Sequence, residues 1–74
     1  MNIKYADNYK SLGLNISFYR KKKNLTQLQL AELAGIDRSH MSAIELGNVG
    51  VSLDVLFNIC EILDIQPFHL FDFR

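Results

Sequence analysis

The chain has 74 residues, 49% of them hydrophobic and 22% charged, which is enough for one small folded domain and excludes a disordered chain. It has a single cysteine, Cys60, and no apolar run of about 18 residues, which excludes a disulfide framework and a membrane span. The formal net charge of zero does not exclude a nucleic-acid partner, because seven basic and three acidic groups give residues 1–38 a balance of +4 while residues 39–74 carry −4.

The start of the chain shows no hydrophobic periodicity, so we expect an N-terminal arm over residues 1–8 before a domain over residues 9–74. From Tyr9 onward, apolar side chains recur at helical spacing and predict a first helix that ends near the basic run at residues 20–23. These apolar positions are Tyr9, Leu12, Ile16 and Tyr19. The basic run allows two interpretations, a solvated last turn favoured by the helix dipole or a set of phosphate contacts.

Three later helix starts share one pattern, in which an apolar residue precedes a capping residue and another apolar residue lies five positions after the first. The caps are Thr26, Asp37 and Ser52, and the apolar pairs are Leu25 with Leu30, Ile36 with Met41, and Val51 with Leu56. Gln29 completes a capping box with the first cap, and Gly35 is suited to end the helix that follows. The pattern predicts two short helices, from Gln27 to Ala34 and from Arg38 to about Leu46, which form a helix-turn-helix.

The third cap opens a fourth helix, followed by a short fifth one. The inward stripe of the fourth helix is predicted to be Leu53, Leu56, Ile59, Cys60 and Leu63. Asp64 is expected to take the left-handed conformation after this helix, and Pro67 suits the first turn of a fifth helix through about Phe71. We therefore expect an all-α fold, a compact bundle of five helices.

Several segments resemble the lambda-repressor-like, Cro-type helix-turn-helix domain, also called the XRE family. They are residues 25–27 (LTQ), 30–31 (LA), 34–35 (AG), 39–45 (SHMSAIE) and 52–65 (SLDVLFNICEILDI). The resemblance covers roughly residues 12–71 of the chain. It implies a five-helix bundle that binds double-stranded operator DNA as a symmetric homodimer, and thus a sequence-specific transcriptional regulator of a palindromic operator. No small-molecule ligand is expected.

The resemblance places DNA-binding residues at the start of helix two and on the outward face of helix three, and the basic run and the loop after helix three add further candidates. Arg38 is the first choice for base reading, because a guanidinium can bond guanine O6 and N7 together, although it could also lie in water or on a phosphate. Ser39 and Ser42 can donate to bases or to phosphates. The expected DNA-binding residues are Gln27, Arg38, Ser39, Ser42, Ala43, His40, Lys22, Lys23 and Asn48.

The resemblance also implies an ion pair between Arg20 and Glu45 that ties helix one to helix three. Two features depart from the family's pattern. Relatives often have a basic or polar residue where Leu46 stands, and the loop at residues 47–50 (GNVG) lacks lysine and arginine. Because contacts from this loop to the DNA backbone would have to come from Asn48 and N–H groups, we expect weaker non-specific DNA affinity.

Catalysis is a competing class of function. The candidate nucleophile and imidazoles are Cys60, His40 and His69, and the cysteine lies on an inward stripe where a buried thiol is inert. No carboxylate pair, phosphate-binding glycine loop or ligand cluster accompanies them. We therefore expect no enzyme, no cofactor and no metal, and a cytoplasmic location.

A protein-interaction module is the other competing class. Apolar residues beyond the inward stripes predict a homodimer contact from helices four and five, formed by Phe57, Ile62, Phe68 and Phe73. Leu14 and Phe18 are further apolar residues of this kind. The same fold could instead hold a different protein, as in an antitoxin-like regulator. Residues 37–42 also resemble restriction-modification controller proteins, a single-domain branch of the same family.

Overall fold

All regular structure in residues 3–73, the part of the chain that the computed structural model describes, is helical. A 3₁₀ turn over Ile3–Tyr5 leads into five α-helices, which are α1 (Ala6–Lys22), α2 (Gln27–Ala34), α3 (Arg38–Leu46), α4 (Leu53–Leu63) and α5 (Pro67–Leu70). The predicted all-α class with five helices is confirmed. None of these helices is long and apolar enough to cross a membrane.

The first helix begins at Ala6, three residues before the predicted start at Tyr9. Its first turn carries Asp7, a charge that the helix dipole favours at an N-terminus. Because Asp7 and Asn8 are exposed, hydrophobic periodicity could not detect this turn. The helix thus includes part of the segment predicted as an arm, and the boundary of the domain itself stays a prediction.

Local capping sets the bounds of the next three helices. Thr26 Oγ1 accepts from the N–H of Gln29 at 3.1 Å, while Gln29 Oε1 accepts from the N–H of Thr26 at 2.8 Å. This is the predicted capping box. Asp37 and Ser52 cap α3 and α4 through their side-chain oxygens. Gly35 follows α2 in the left-handed conformation, with φ of 75°, which a residue with a Cβ adopts at a cost.

One hydrophobic core joins all five helices. Its buried side chains are Leu12, Ile16, Leu30, Ala31, Met41, Ile44, Leu56, Ile59, Cys60, Leu63 and Leu70. Burial raises the pKa of the Cys60 thiol, as expected for a structural rather than a reactive cysteine.

Leu53 does not lie on the inward stripe of α4 where the sequence pattern predicted it. Its side chain is 60% exposed and borders a groove together with Tyr5 and Phe71. The core at this end of the helix is contacted instead by Val51, which precedes the cap. The first residue of α4 is therefore left at the rim of the core.

Gly13, on α1, allows an unusually close approach between α1 and α3. A Cβ at this position would lie 2.5 Å from the carbonyl oxygen of Ile44, and closer still to that of Glu45. Both are backbone atoms inside a helix, so neither can move aside as a flexible side chain would. The packing of α1 on α3 therefore depends on the absence of a side chain at Gly13.

The fifth helix ends at Leu70, one residue before the predicted end. Leu70 is fully buried, whereas Phe68 and Phe71 are exposed. Asn15 Nδ2 donates to the carbonyl oxygens of Leu70 at 2.8 Å and Asp72 at 3.2 Å. These bonds hold the C-terminal segment against α1.

Candidate nucleic-acid interface

The outward face of α3 is small and polar at its N-terminal end. It consists of the exposed Arg38, Ser39 and His40 and the partly buried Ser42 and Ala43. Met41 and Ile44 anchor the opposite side of the helix in the core, so the helical period fixes which residues face outward. Leu46, at the C-terminal end, is 61% exposed and gives that end of α3 an apolar surface.

A buried ion pair fixes the position of α3 relative to α1. Arg20 Nε donates to Glu45 Oε2 at 2.7 Å, and Arg20 Nη2 donates to Glu45 Oε1 at 3.0 Å. The two side chains are only 9% and 5% exposed. The family resemblance implied an ion pair between these two residues, and the structure shows in addition that the pair is bidentate. The remaining Arg20 Nη1 donates to the carbonyl oxygen of Leu25 at 2.8 Å.

Gln27 connects α2 to the same carboxylate. Its Nε2 donates to Glu45 Oε1 at 3.0 Å. The Glu45 carboxylate, which belongs to α3, therefore accepts hydrogen bonds from both α1 and α2. Gln27 is also the first residue of α2, where backbone N–H groups lack partners inside the helix and suit an anion. The side chain therefore braces α3, and a phosphate contact from this position stays a prediction.

The hydroxyl of Ser39 is engaged by the N-cap of its own helix. Ser39 Oγ donates to Asp37 Oδ1 at 2.8 Å, and the N–H of His40 donates to the same oxygen at 2.7 Å. An ionised carboxylate can only accept, so the single hydroxyl hydrogen must point towards Asp37. The hydroxyl hydrogen of Ser39 is thus used within the N-cap of its own helix, and a contact of Ser39 with DNA stays a prediction.

We expect the stability contributed by Asp37 to depend on pH. The His40 N–H, and then the Ser39 hydroxyl, lower the pKa of Asp37 below its usual 3.8. Because the folded-state pKa is the lower one, the stabilisation is present above pH 3.8 and is lost as the pH falls through the folded value. Asp37→Asn keeps a good cap without the charge. Thermal melts should show the wild type more stable at neutral pH, with the difference shrinking in acid. A difference that is constant with pH would contradict the assignment.

The lysines at the end of α1 lie close to α4 and α5. Lys22 and Lys23 border a shallow groove together with Asp64 and His69. Lys22 Nζ is also 6.0 Å from the centroid of the Phe18 ring. A DNA contact from Lys22 and Lys23 stays a prediction.

Asn48 lies in the loop after α3. Its N–H donates to the carbonyl oxygen of Ala43 at 2.9 Å and completes the end of the helix. The residue itself is exposed. This bond involves only the backbone of Asn48, and a contact of the residue with DNA stays a prediction.

Three of the four residues predicted to form a dimer contact are well exposed. Phe57, Phe68 and Phe73 are 49%, 68% and 40% exposed, whereas Ile62 is partly buried against the core. Phe73 borders one groove with Phe18 of α1 and another that includes Leu53 of α4. The apolar surface thus continues across α1, the C-terminal segment and α4.

Comparison with known proteins identifies the family. Residues 16–70 match the protein family described as Helix-turn-helix. The chain belongs to the helix-turn-helix family. Its relatives include named transcriptional regulators and repressors, and the resemblance to XRE-type, DNA-binding regulators is confirmed.

Relatives of this helix-turn-helix protein differ in how much of their own length it covers. The crystal structure of the restriction-modification controller protein C.AhdI from Aeromonas hydrophila matches with a TM-score of 0.86 and 34% identity, over 90% of this chain and 97% of that one. Control protein C.SmaI of Serratia marcescens is 32% identical over 85% of this chain and 75% of its own. Antitoxin PezA of Streptococcus pneumoniae is 37% identical over 74% of this chain, which spans only 35% of PezA.

Two features of the interface were not predicted. The bond from Ser39 to Asp37 joins residues two positions apart, and such short spacings are common for serine near a capping aspartate, so the sequence carried a signal for it. The bond from Gln27 to Glu45 joins residues 18 positions apart. No local pattern could have found this second bond, because it depends on how α2 packs against α3.

Proposed function

We propose that this helix-turn-helix regulator is a homodimer that reads a palindromic operator, with α3 of each copy in the major groove. The observation that carries the proposal is the outward polar face at the N-terminal end of α3, held in place by the Glu45 carboxylate. In helix-turn-helix proteins the N-terminal end of the second helix of the motif, which is α3 in this chain, contacts base edges. Rigid support of α3 favours specific reading, because little side-chain or helix ordering remains to be done on binding.

Arg38 is the proposed reader of a guanine, since it is exposed and precedes every other outward residue of α3. Arg38→Ala is expected to relax the preference at one base position per half-site, with a loss of about 1–3 kcal/mol of discrimination. Selection of bound sequences from random duplexes, run in parallel on the wild type and the variant, measures this. Equal weakening at every position would instead make Arg38 a phosphate contact.

The same selection tests the proposed function as a whole. A motif with two inverted halves, recovered by the wild type, is the expected result. The half-sites should be centred about one helical turn apart, roughly 34 Å, or a multiple of it. Binding without any sequence preference would overturn the proposal.

Homodimer formation is proposed from the exposed aromatic side chains of α4, α5 and the C-terminal segment. Sedimentation of the free protein should give twice the 8.5 kDa mass of one chain. Phe68→Glu should shift the protein to monomer, because a charge would be buried in an apolar contact. Phe68 is 68% exposed in the single chain, so the substitution should leave the fold intact.

Leu33→Glu on α2 is the matched control for this experiment. Leu33 is 58% exposed and lies outside the proposed contact, so its variant should remain a dimer. A wild type that stays monomeric both free and on operator would remove the homodimer from the proposal.

A regulator that acts by holding another protein is the second candidate function. The similarity to antitoxin PezA and the exposed apolar surface favour it. The match to the controller protein C.AhdI favours the controller-protein branch instead, because it extends over 97% of that protein against 35% of PezA. No catalytic step forms part of either proposal.

A further inference from the structure

We infer that Ser39 reads DNA as a hydrogen-bond acceptor and therefore recognises an exocyclic amino group, adenine N6 or cytosine N4, in the major groove. The inference rests on the proposed function, because it needs α3 to lie in that groove. Ser39 would then select base pairs by the position of their amino group.

The direction of the hydrogen bond within the N-cap carries the inference. A serine hydroxyl has one hydrogen and two lone pairs, and in this chain the hydrogen is donated to Asp37 Oδ1 at 2.8 Å. The Asp37 carboxylate is itself oriented by the N–H of His40 at 2.7 Å. Since the lowered pKa of Asp37 keeps it ionised at neutral pH, the carboxylate cannot donate in return. The lone pairs of Ser39 Oγ are the polar groups left to face a base.

Base edges differ in what they offer to such an acceptor. Guanine presents N7 and O6, and thymine presents O4, which are all acceptors, whereas adenine N6 and cytosine N4 are donors. A guanine or thymine oxygen opposite Ser39 would face the lone pairs of Ser39 Oγ, and the Asp37 carboxylate is nearby. Two acceptors that face each other form no hydrogen bond, so these bases are disfavoured. Arg38, the preceding residue, has only donors and requires the opposite partner. Neighbouring residues of α3 thus read chemically opposite groups.

Ser42 provides a contrast on the same helix. In the part of the chain that the structure describes, the Ser42 hydroxyl makes no side-chain hydrogen bond, so it can rotate to donate or accept. Ser42 should accordingly be able to contact either a donor or an acceptor group of a base. This makes Ser42 the matched control for Ser39.

The test uses base analogues in the operator recovered by selection. The base pair read by Ser39 is the one whose preference is lost in Ser39→Ala. At that pair, purine replaces adenine, or pyrimidin-2-one replaces cytosine, to delete the amino group. In a second duplex a 7-deaza purine deletes N7. Affinities of the wild type and Ser39→Ala are measured on each duplex, so that any weakening of the base pair itself cancels.

Deleting the amino group is expected to weaken wild-type binding about fivefold relative to its effect on Ser39→Ala, while deleting N7 should leave the ratio unchanged. Asp37→Gly, a substitution that an N-cap tolerates, frees the hydroxyl hydrogen to donate as well. This variant should therefore tolerate guanine in place of adenine, or thymine in place of cytosine, at the position read by Ser39 better than the wild type does. In the Ser42→Ala variant, where Ser39 is intact, deleting the amino group should still weaken binding about fivefold relative to its effect on Ser39→Ala.

Three results would overturn the inference. A loss on removing N7 without a loss on removing the amino group would show that Ser39 donates. A Ser39→Ala variant with an unchanged motif would show that it reads no base. If the wild type selects no motif at all, the proposed function fails as well, and this outcome is distinguished from the other two by the selection itself.

Discussion

Gly13→Ala is expected to destabilise the domain by about 3 kcal/mol, although alanine is favoured over glycine inside a helix by about 1 kcal/mol. The added Cβ would lie 2.5 Å from the carbonyl oxygen of Ile44 and still closer to that of Glu45. Relief requires α1 and α3 to separate, which would open the core between them. Urea unfolding followed by circular dichroism measures the loss.

Gly50→Ala is the control for this substitution. A Cβ at Gly50 would lie 3.6 Å from the hydroxyl oxygen of Tyr9, an ordinary contact. Its effect should stay within about 0.5 kcal/mol, as for most surface substitutions. If Gly13→Ala were as stable as the wild type, α1 and α3 could not be packed as closely as described.

Glu45→Ala is expected to cost about 3–5 kcal/mol, because it leaves the Arg20 guanidinium buried without its charge partner. Domains of this kind have only about 5–15 kcal/mol of total stability, so the variant should be close to unfolding at room temperature. Gln27 would lose its acceptor at the same time. The effect should change little with salt, since both charged side chains are nearly inaccessible to solvent.

A double-mutant cycle separates the value of the ion pair from the penalty of a lone charge. Arg20→Met combined with Glu45→Leu replaces both charges with apolar side chains, and it should be more stable than either single variant. Unfolding free energies of the four proteins give the coupling energy. A loss below about 1 kcal/mol for Glu45→Ala, typical of an exposed pair, would show that the carboxylate is not buried in solution.

The sequence predicted those features that depend on neighbours in the chain. The caps at Thr26, Asp37 and Ser52, and the left-handed residues Gly35 and Asp64, lie as expected. Each is fixed by hydrogen bonds within a few residues, which local patterns report. The family resemblance added the pairing of two distant residues that no periodicity reveals.

Apart from that pair, features that depend on packing between helices could not be predicted. The sequence around Gly13 does not indicate that α3 packs against this residue. Leu53 has the spacing of an inward residue, although its side chain is exposed in the structure. Both outcomes depend on the relative positions of helices, and spacing within one helix gives no information on these.

Selective binding of DNA through α3 is the central claim, and its most direct test is a comparison of two duplexes of equal length. One carries the motif recovered by selection and the other the same bases in scrambled order, and the Kd of each is measured at several salt concentrations. The wild type should bind the motif at least about 10³-fold more tightly, with both affinities falling as salt rises. Equal affinity for the two duplexes at every salt concentration would contradict the account.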